Sequence, residues 1–302
     1  MSMTVGFIGL GVMGRPMCHH LATKRGDAGI SRVIAWDRDP GAVARLAHDG
    51  VEAAASLSQL ATAADVVHLC LPGGAELEHL CFDGNRNGVP PLRDAGLRAG
   101  TIVLDHGTSP VPLTRRLETA FADSGVRFCD APITRTRAAA EAGTLVVLFG
   151  GPADVLDRVR PLLGCFAEVI EPCGPVGSGQ IVKQMNNMVL IQTVAALAEA
   201  LATARAAGLE DGVLARAMEA GSADSFALRN HGRKALWPGE FPLKAFSARY
   251  ALKDLTYAVE LAESLGLDLR QARGAQRLLE AAIASGDGDR YFPVLLRQID
   301  ER

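Results

Sequence analysis

Three glycines in the pattern GxGxxG follow the first apolar run of the chain: Gly9, Gly11 and Gly14. In such a loop the first glycine permits a tight turn, the second lets the backbone approach a pyrophosphate, and the third lets a helix pack closely on a strand. A helical pattern follows the loop, and a helix N-terminus offers N–H donors and partial positive charge to phosphate groups. The segment therefore predicts a dinucleotide-binding turn in which Val12 and Met13 also contact the ligand.

An acidic residue after the second predicted strand bears on the choice of dinucleotide. Asp37 lies 23 residues after Gly14, where a carboxylate binds the ribose hydroxyls of NAD and repels the 2′-phosphate of NADP. The neighbouring Arg38 complicates this interpretation, since a guanidinium could bind that phosphate or stack on the adenine. The sequence favours NAD, with NADP as the alternative. A carboxylate at Asp37 that only caps the next helix would be compatible with either cofactor.

Two further loops follow predicted strands in the same half of the chain. One begins at Leu71-Pro72, and the other contains Thr108 and Ser109. Ligands of open α/β sheets lie beyond the carboxyl ends of the strands, so both loops are expected to line the nicotinamide side of the cofactor. His106 lies in the second loop and could touch the substrate. No group of histidines and cysteines has the spacing of a metal site, so no metal is expected.

A lysine and an asparagine, Lys183 and Asn187, stand four residues apart in a segment of high helix propensity. At that spacing both side chains project from one helix face and can converge on one ligand atom. The segment leaves the nucleotide-binding half, so we expect this face to border a cleft between two domains. A desolvated lysine has a lowered pKa and can act as general acid and base in an alcohol–carbonyl interconversion. On an ordinary exposed helix the same pair would only be solvated.

The elements that position these residues are indicated by the pattern of hydrophobicity. Short apolar runs alternate with amphipathic segments as far as about residue 172, which is typical of βαβ units and a mostly parallel, doubly wound sheet. The predicted strands are 4–8, 32–36, 66–71, 101–105, 127–130, 145–149 and 167–170, and helical patterns between them cover 42–49, 58–63, 111–123 and 153–163. A Gly/Pro cluster at 172–179 then indicates a domain boundary. We therefore predict an α/β, Rossmann-type NAD(P)-binding domain at 1–175.

The remaining residues, 176–302, show no convincing strand pattern. A helix over about 180–207 is predicted, because that stretch contains neither Pro nor Gly and is followed by Gly208. Shorter helical patterns cover 214–220, 248–265 and 272–285. The second domain is therefore predicted to be all-helical and joined to the first by the long helix.

The composition limits the class of protein. The 302 residues include 31 basic and 34 acidic side chains, a net charge of −3, and 48% hydrophobic residues. This balance predicts a folded protein with a substantial core, and the lack of a Lys/Arg cluster argues against a nucleic-acid partner. Polar residues interrupt the apolar stretches, so neither a transmembrane segment nor a signal peptide is expected. The six cysteines lack CxxC spacing and indicate free thiols in the cytoplasm rather than zinc ligands or disulfides.

Four blocks of the sequence resemble the β-hydroxyacid dehydrogenases, the family of 3-hydroxyisobutyrate dehydrogenase and tartronate semialdehyde reductase. In chain order the blocks are 6–17, 130–132 with 143–145 and 150–151, 179–187, and 253–254. The resemblance implies NAD(P)-dependent oxidation of a small 3-hydroxy acid and a C-terminal domain like that of 6-phosphogluconate dehydrogenase. It also implies that Lys183 is the catalytic acid and base, that Asn187 positions the substrate, and that Lys253 lies near the nicotinamide. Family members commonly form dimers or tetramers through the helical domain, so a homo-oligomer is expected.

The chain departs from the family pattern directly after block 130–132. The family usually continues Val-Ser-Gly-Gly, whereas this chain reads Ile-Thr-Arg-Thr. Thr134 keeps a hydroxyl, Arg135 replaces a glycine with a charged fork of five donors, and Thr136 completes the predicted substrate loop. The corresponding loop of sulfolactaldehyde reductases, which belong to the same superfamily, is similar to this one. We therefore expect Arg135 to contact the substrate anion, either a carboxylate or a bulkier sulfonate or phosphonate.

Several alternatives stay open. Arg135 could be a structural residue that pairs with a local acid such as Asp130 or Glu141. The protein could reduce an aldehyde that carries a sulfonate or phosphonate. Imine reductases share the fold but typically replace the lysine, so Lys183 argues against that activity. A non-catalytic nucleotide-binding module would be favoured by loss of the same lysine, and this chain retains it. The main prediction is hydride transfer between nicotinamide and a carbinol carbon while Lys183 moves the hydroxyl proton.

Overall fold

The computed structural model describes residues 3–84 and 89–300 of the chain. The first of two compact units ends at Lys183. Its strands are β1 (Met3–Ile8), β2 (Ile30–Trp36), β3 (Val51–Ala53), β4 (Val66–Leu69), β5 (Ile102–Asp105), β6 (Arg127–Asp130), β7 (Ile133–Thr134), β8 (Leu145–Gly150) and β9 (Ala167–Gly174). They form one sheet in the order β3-β2-β1-β4-β5-β6-β8-β7, in which β9 also pairs with β8.

The strands β1 to β6 pair in parallel, in the order typical of dinucleotide-binding sheets. Every residue of β4 and β5 is buried, which is the pattern of a strand covered on both faces. β8 runs antiparallel to β6 and β7 and parallel to β9. The mostly parallel, doubly wound sheet is therefore confirmed. The strands β3 and β7 were not predicted, because runs of three and two residues are too short to show a period.

Helices connect the strands of this unit: α1 (Gly14–Thr23), α2 (Pro40–Ala44), α3 (Leu57–Ala63), α4 (Gly74–Glu78), α5 (Val111–Ala122), α6 (Arg137–Ala142) and α7 (Ala153–Leu163). Local sequence explains several ends. Ser56 caps α3 by accepting the N–H of Gln59 at 3.1 Å. The helix predicted at 42–49 is wrong in its extent: α2 ends at Ala44, and a 3₁₀ turn leads to Gly50 in the left-handed region at φ 79°.

Two apolar clusters cover the two faces of the sheet. One packs α1, α6 and α7 against it and includes Phe7 and Phe149, and the other packs α3 and α5 and includes Phe121. Fully burying side chains of this size contributes about 2–3 kcal/mol each, so these clusters supply most of the stability of the unit. They hold the strands rigidly, and the loops at the strand ends are thereby fixed in place.

The helix α8 (Ser178–Ala206) begins after β9 and continues into the second unit, which starts at Gln184. This unit contains α9 (Asp211–Ala220), a π-helical segment (Ala227–Leu236), α10 (Ala248–Ser264), α11 (Arg270–Ala282) and α12 (Arg297–Asp300). Its core gathers apolar side chains of these helices around residues such as Leu255 and Phe292. Within the described part of this unit, extended backbone pairs only at two isolated bridges, Leu243 with Arg290 and Ser247 with Tyr291. The predicted boundary between 175 and 176 stays a prediction.

The length and composition of α8 bear on the expectation that the chain has no transmembrane segment. Among the described residues, α8 is the one helix long and apolar enough to cross a membrane, with a mean hydropathy of 1.4 over its most apolar window. Core helices of soluble proteins can have the same length and composition, and 39% of that window is buried inside the structure.

Candidate active site

The three glycines of the first loop meet different surroundings in the structure. Gly9 has φ 93°, and a Cβ on it would lie 2.4 Å from the carbonyl oxygen of Cys70. A Cβ on Gly14 would lie 1.9 Å from the carbonyl oxygen of Gly9. A Cβ on Gly11 would meet nothing within 4 Å among the described residues. The fold itself therefore requires the first and third glycines, whereas the space at Gly11 fits the approach of a pyrophosphate.

The residues after Gly11 stand where the glycine turn meets α1. Met13 occupies the N-cap position, and Val12 is 52% exposed. The side chain of Met13 makes no capping hydrogen bond to α1. The backbone N–H groups of the first turn of a helix have no partner within the helix, so this end suits a phosphate.

The carboxylate of Asp37 at the end of β2 braces the glycine loop. Its Oδ2 accepts the N–H of Leu10 at 2.6 Å, and its Oδ1 accepts the N–H of Asp39 at 2.8 Å. Arg38 is exposed. The cap of α2 is Asp39, which accepts the N–H of Gly41 at 2.9 Å. Asp37 is therefore fixed beside the glycine loop, as the interpretation of a ribose ligand requires.

A buried polar network lies beyond the carboxyl end of β5. Asp105 accepts the N–H of Gly107 at 2.9 Å and the hydroxyl of Ser109 at 2.8 Å. Gln180 in the first turn of α8 donates to Asp105 at 3.3 Å and accepts the N–H of Ser109 at 3.0 Å. The network fixes the loop that carries the half-buried Thr108. Leu71 is half-buried and Pro72 is exposed in the loop after β4.

The carboxylate of Asp130 at the end of β6 anchors the start of α8. Its Oδ1 accepts the N–H of Gly177 and its Oδ2 accepts the N–H of Gln180, both at 2.7 Å. Burial raises the pKa of Asp130 to about 7, while these two donors act in the opposite direction. Lys183, which is half-buried, lies three residues after Gln180. The network at the strand ends therefore fixes the turn of helix that carries the predicted catalytic lysine.

One turn further along α8, the second unit contains a cluster around a buried carboxylate. Asn187 is 4% exposed and donates from Nδ2 to Oδ2 of Asp254 at 2.7 Å. Lys253 donates from Nζ to Oδ1 of Asp254, also at 2.7 Å. In the sequence, Asp254 stands out only as part of the family block at 253–254. Its contact with Asn187 was missed because 67 residues separate the two in the chain.

The structure holds the predicted substrate loop in an uncommon backbone conformation. Thr134 ends β7, and Arg135 has φ 86°, in the region that favours glycine. The guanidinium of Arg135 donates to Oε2 of Glu168 at 2.5 Å and to the carbonyl oxygen of Thr144 at 2.7 Å. Thr136 accepts the N–H of Ala139 at 3.4 Å and caps α6. The predicted contacts of all three residues with substrate stay predictions.

The acids considered earlier as partners of Arg135 have other contacts. Glu141 accepts from Nε of Arg137 at 2.8 Å. Asp130 accepts the two N–H groups at the start of α8. The acid that pairs with Arg135 is Glu168, at the start of β9. The pairing of β8 with β9 brings it within reach.

His106 is 2% exposed and lies in the core rather than at a surface. Its Nδ1 donates to the carbonyl oxygen of Ala131 at 2.8 Å, so its Nε2 accepts from Nδ1 of His68 at 2.8 Å. Burial lowers the pKa of His106 to about 4 and that of His68 well below 6.5. Both imidazoles are therefore neutral at pH 7. Both ring nitrogens of His106 are hydrogen-bonded to protein groups, so the ring is not available to a substrate. The residues of the described ranges form no cluster of three or more potential metal ligands.

Comparison with known proteins assigns both units. The family model described as the NAD-binding domain of 6-phosphogluconate dehydrogenase matches residues 4–174. The model described as the NAD-binding domain of NADP-dependent 3-hydroxyisobutyrate dehydrogenase matches residues 177–299. The chain is similar to 3-hydroxyisobutyrate dehydrogenase of Pseudomonas aeruginosa, with 35% identity over 90% of this chain and 86% of that protein.

Two further relatives extend over almost the whole chain. NAD-dependent L-serine dehydrogenase of Pseudomonas aeruginosa is 33% identical over 98% of this chain and 97% of that protein. The structure of 3-hydroxyisobutyrate dehydrogenase of Mycobacterium tuberculosis with L-serine superposes with a TM-score of 0.84 at 28% identity, covering 99% of both chains. With the glycine turn and the anchored lysine helix, these similarities identify the chain as a member of the β-hydroxyacid dehydrogenase family and an NAD(P)-dependent oxidoreductase of 3-hydroxy acids.

Proposed function

We propose that the protein oxidises the primary alcohol of a small acid of the type HOCH₂–CHR–COO⁻ to the semialdehyde, with Lys183 as general base. The observation that carries this proposal is the placement of Lys183: it is half-buried, one turn beyond the helix start that Asp130 and Gln180 fix. The names of two relatives, L-serine dehydrogenase and 3-hydroxyisobutyrate dehydrogenase, support this substrate class, since both substrates share the hydroxymethyl group next to a carboxylated carbon.

The predicted catalytic and substrate-binding residues have separate parts in this mechanism. The glycine turn and Asp37 would hold the coenzyme, whose nicotinamide would supply the acceptor for the hydride of the carbinol carbon. Lys183 takes the hydroxyl proton, and in the reverse direction it returns a proton to the developing alkoxide. Asn187 orients that oxygen, while Thr134, Arg135 and Thr136 hold the acid group so that the C–H bond is aligned for transfer. Positioning of this kind contributes several kcal/mol to lowering the barrier.

The preferred coenzyme of this proposal is NAD. Asp37, fixed beside the glycine loop by the N–H of Leu10, supplies a carboxylate where NADP carries an additional phosphate. The exposed guanidinium of Arg38 keeps NADP as the alternative. Dissociation constants of NAD⁺ and NADP⁺ from fluorescence titration compare the two directly. A substitution of Asp37→Ser is expected to strengthen NADP⁺ binding and weaken NAD⁺ binding; tighter NADP⁺ binding by the native chain would overturn the assignment.

An initial-rate screen tests the reaction itself. The purified protein is mixed with NAD⁺ or NADP⁺ and with L-serine, 3-hydroxyisobutyrate, glycerate and threonate, together with sulfonate and phosphonate analogues, and the absorbance of reduced coenzyme is followed. We expect turnover of a 3-hydroxy acid that falls by orders of magnitude in Lys183→Ala with coenzyme affinity unchanged. Lys234→Ala, an exposed lysine of the second unit, is the matched control. An active Lys183→Ala would contradict the role of the lysine.

The proposal extends to assembly and location. A homodimer or homotetramer of a soluble, cytoplasmic enzyme with a small anionic substrate is proposed, without nucleic acid or membrane as partner. Val189 on α8 is 58% exposed, and contact with a second copy would cover this apolar side chain. Light scattering coupled to size-exclusion chromatography measures the mass in solution. A monomer at micromolar concentration would contradict the expected oligomer.

A further inference from the structure

Asp254 lies in the second turn of α10, and its side chain is 5% exposed. Its two carboxylate oxygens serve two different donors. Oδ2 accepts from Nδ2 of Asn187 and Oδ1 accepts from Nζ of Lys253, each at 2.7 Å. All three residues belong to the second unit. One buried carboxylate therefore joins the amide assigned to the substrate oxygen with the ammonium assigned to the coenzyme.

We propose that Asp254 is a positioning residue of the active site, which fixes the amide orientation of Asn187 and the location of the Lys253 ammonium. This inference rests on the proposed function, because the role of Asn187 is part of that proposal, and on the family resemblance, which implies that Lys253 lies near the nicotinamide. Asp254 itself touches neither substrate nor coenzyme in this scheme and acts through its two neighbours.

The orientation of Asn187 follows from the chemistry of its partners. An ionised carboxylate only accepts hydrogen bonds, so Asn187 must direct its NH₂ group toward Asp254. Its carbonyl oxygen accepts from Nδ2 of Asn186 at 3.1 Å, which agrees with this orientation. The second hydrogen of Nδ2 is then a donor, as an alkoxide oxygen requires. A flipped amide would place two oxygens against each other in a buried site, so the orientation is strongly determined.

The location of Lys253 depends on the same carboxylate. Its Nζ lies 5.0 Å from the ring centre of Tyr257 and 5.7 Å from that of Tyr250, and the ring faces attract the cation. Lysine is a flexible chain with a compact charge, so a charged acceptor restricts it more than the rings do. Asp254 is the neighbouring carboxylate that supplies this restraint.

A carboxamide cannot replace this carboxylate. It has one acceptor oxygen, whereas Asn187 and Lys253 each require an acceptor. Asp254→Asn must therefore give up one of the two hydrogen bonds at nearly constant side-chain volume. We expect kcat to fall about 100-fold, since misplacement of a group at the reacting centre has effects of that size. Coenzyme affinity is expected to fall as well, about tenfold, because the Lys253 ammonium loses its restraint.

The matched control is Glu260→Gln. Glu260 lies on the same helix α10 and is exposed, so this substitution makes the same change of charge without touching the cluster. We expect its kcat, coenzyme affinity and melting temperature to match those of the native protein. A native kcat in Asp254→Asn would overturn the inference.

A double variant tests whether an oriented amide is needed at position 187 once both hydrogen bonds are restored. Asn187→Asp with Asp254→Asn exchanges the two groups, so that the amide now donates to the carboxylate and its oxygen accepts from Lys253. Both hydrogen bonds can form again, but position 187 has lost its N–H donor toward the substrate oxygen. We expect the melting temperature to recover while kcat stays low. Recovery of kcat together with the melting temperature would overturn the positioning role, because an oriented amide at position 187 would then be unnecessary.

Failure of the inference and failure of the proposed function give different results. Native protein without turnover on the whole panel would overturn the proposed function. The inference is then decided by NMR of the Asn187 side-chain amide, assigned as the signal lost in Asn187→Ala. We expect that signal to move and to exchange faster with solvent in Asp254→Asn but not in Glu260→Gln. An unchanged signal would overturn the positioning role irrespective of activity.

Discussion

The buried histidine pair predicts a loss of stability in acid. His106 donates to the carbonyl oxygen of Ala131, and His68 donates to His106, so both rings are neutral. Nε2 of His68 has no hydrogen-bond partner among the described residues. A proton on either ring would place a charge in the apolar core beside Phe166. The unfolded chain therefore binds these protons more readily than the folded protein does.

The pKa of His106 sets the sign and size of the effect. Burial lowers it from 6.5 to about 4, so the stabilising contribution of the neutral ring is complete above pH 6.5 and is lost as the pH falls toward 4. A difference of one pKa unit between the folded and unfolded states corresponds to about 1.4 kcal/mol of unfolding free energy. The shift at His106 therefore corresponds to about 3 kcal/mol once the pH is below both pKa values, of which about 2 kcal/mol is lost between pH 7 and pH 4.5. His68, whose pKa also lies well below 6.5, adds to the loss.

Urea unfolding at a series of pH values measures this contribution. The protein is studied with the substitution Trp237→Phe, so that the fluorescence of Trp36 on β2 reports on the first unit alone. The free energy of unfolding is compared between this background and the same protein with His106→Gln. Asp130, whose pKa is raised to about 7, changes stability in the opposite direction, but equally in both proteins. Equal pH dependence in the two proteins between pH 7 and 4.5 would refute the reasoning.

Three further predictions concern the nucleotide turn, the helix start and the substrate loop. Gly11→Ala is expected to weaken coenzyme binding about tenfold and to leave the free energy of unfolding unchanged, because the new Cβ meets open space. Gly14→Ala is expected to lower the free energy of unfolding by more than about 2 kcal/mol, because its Cβ would overlap the carbonyl oxygen of Gly9. Coenzyme titration and urea unfolding measure these effects, and an equal loss of stability in the two variants would contradict the distinction. Asp130→Asn removes an acceptor from the start of α8 and is expected to cost about 1–3 kcal/mol in urea unfolding at pH 8, with no loss counting against the anchoring role. Arg135→Gly relieves a positive φ that costs an L residue about 1–2 kcal/mol and gives up an exposed ion pair worth at most about 1 kcal/mol. Its stability should therefore be kept or raised while KM for the acid substrate rises, and an unchanged KM would show that the guanidinium does not bind the anion.

The structure changes the expected partner of Arg135 and shows the backbone conformation of this residue. The sequence indicated a charged residue in place of a glycine and suggested Asp130 or Glu141 as structural partners. The structure keeps the glycine-like backbone at φ 86° and ties the guanidinium to Glu168. No sequence signal indicates this pair, because 33 residues separate the two and the contact depends on how β7, β8 and β9 align.

The sequence by itself determined the type of fold and most of its longer elements. Periodicity depends on local burial, so most long strands and helices were predicted, whereas the helical segment Ala227–Leu236 and the second half of β9 were not. The glycine turn was recognised because its chemistry lies within six residues. Lys183 and Asn187 were paired for the same reason, since helix geometry relates residues four positions apart.

Tertiary structure alone decided which polar groups meet. The anchoring of α8 by Asp130, the link from Gln180 to Asp105, and the contact of Asn187 with Asp254 join residues 47, 75 and 67 positions apart. Hydrogen bonds require partners within about 3 Å, and only the folded sheet and helices bring such distant residues to that separation. The sequence therefore predicted Lys183 as the catalytic residue, whereas the packing of the chain determined the groups that hold the start of its helix in place.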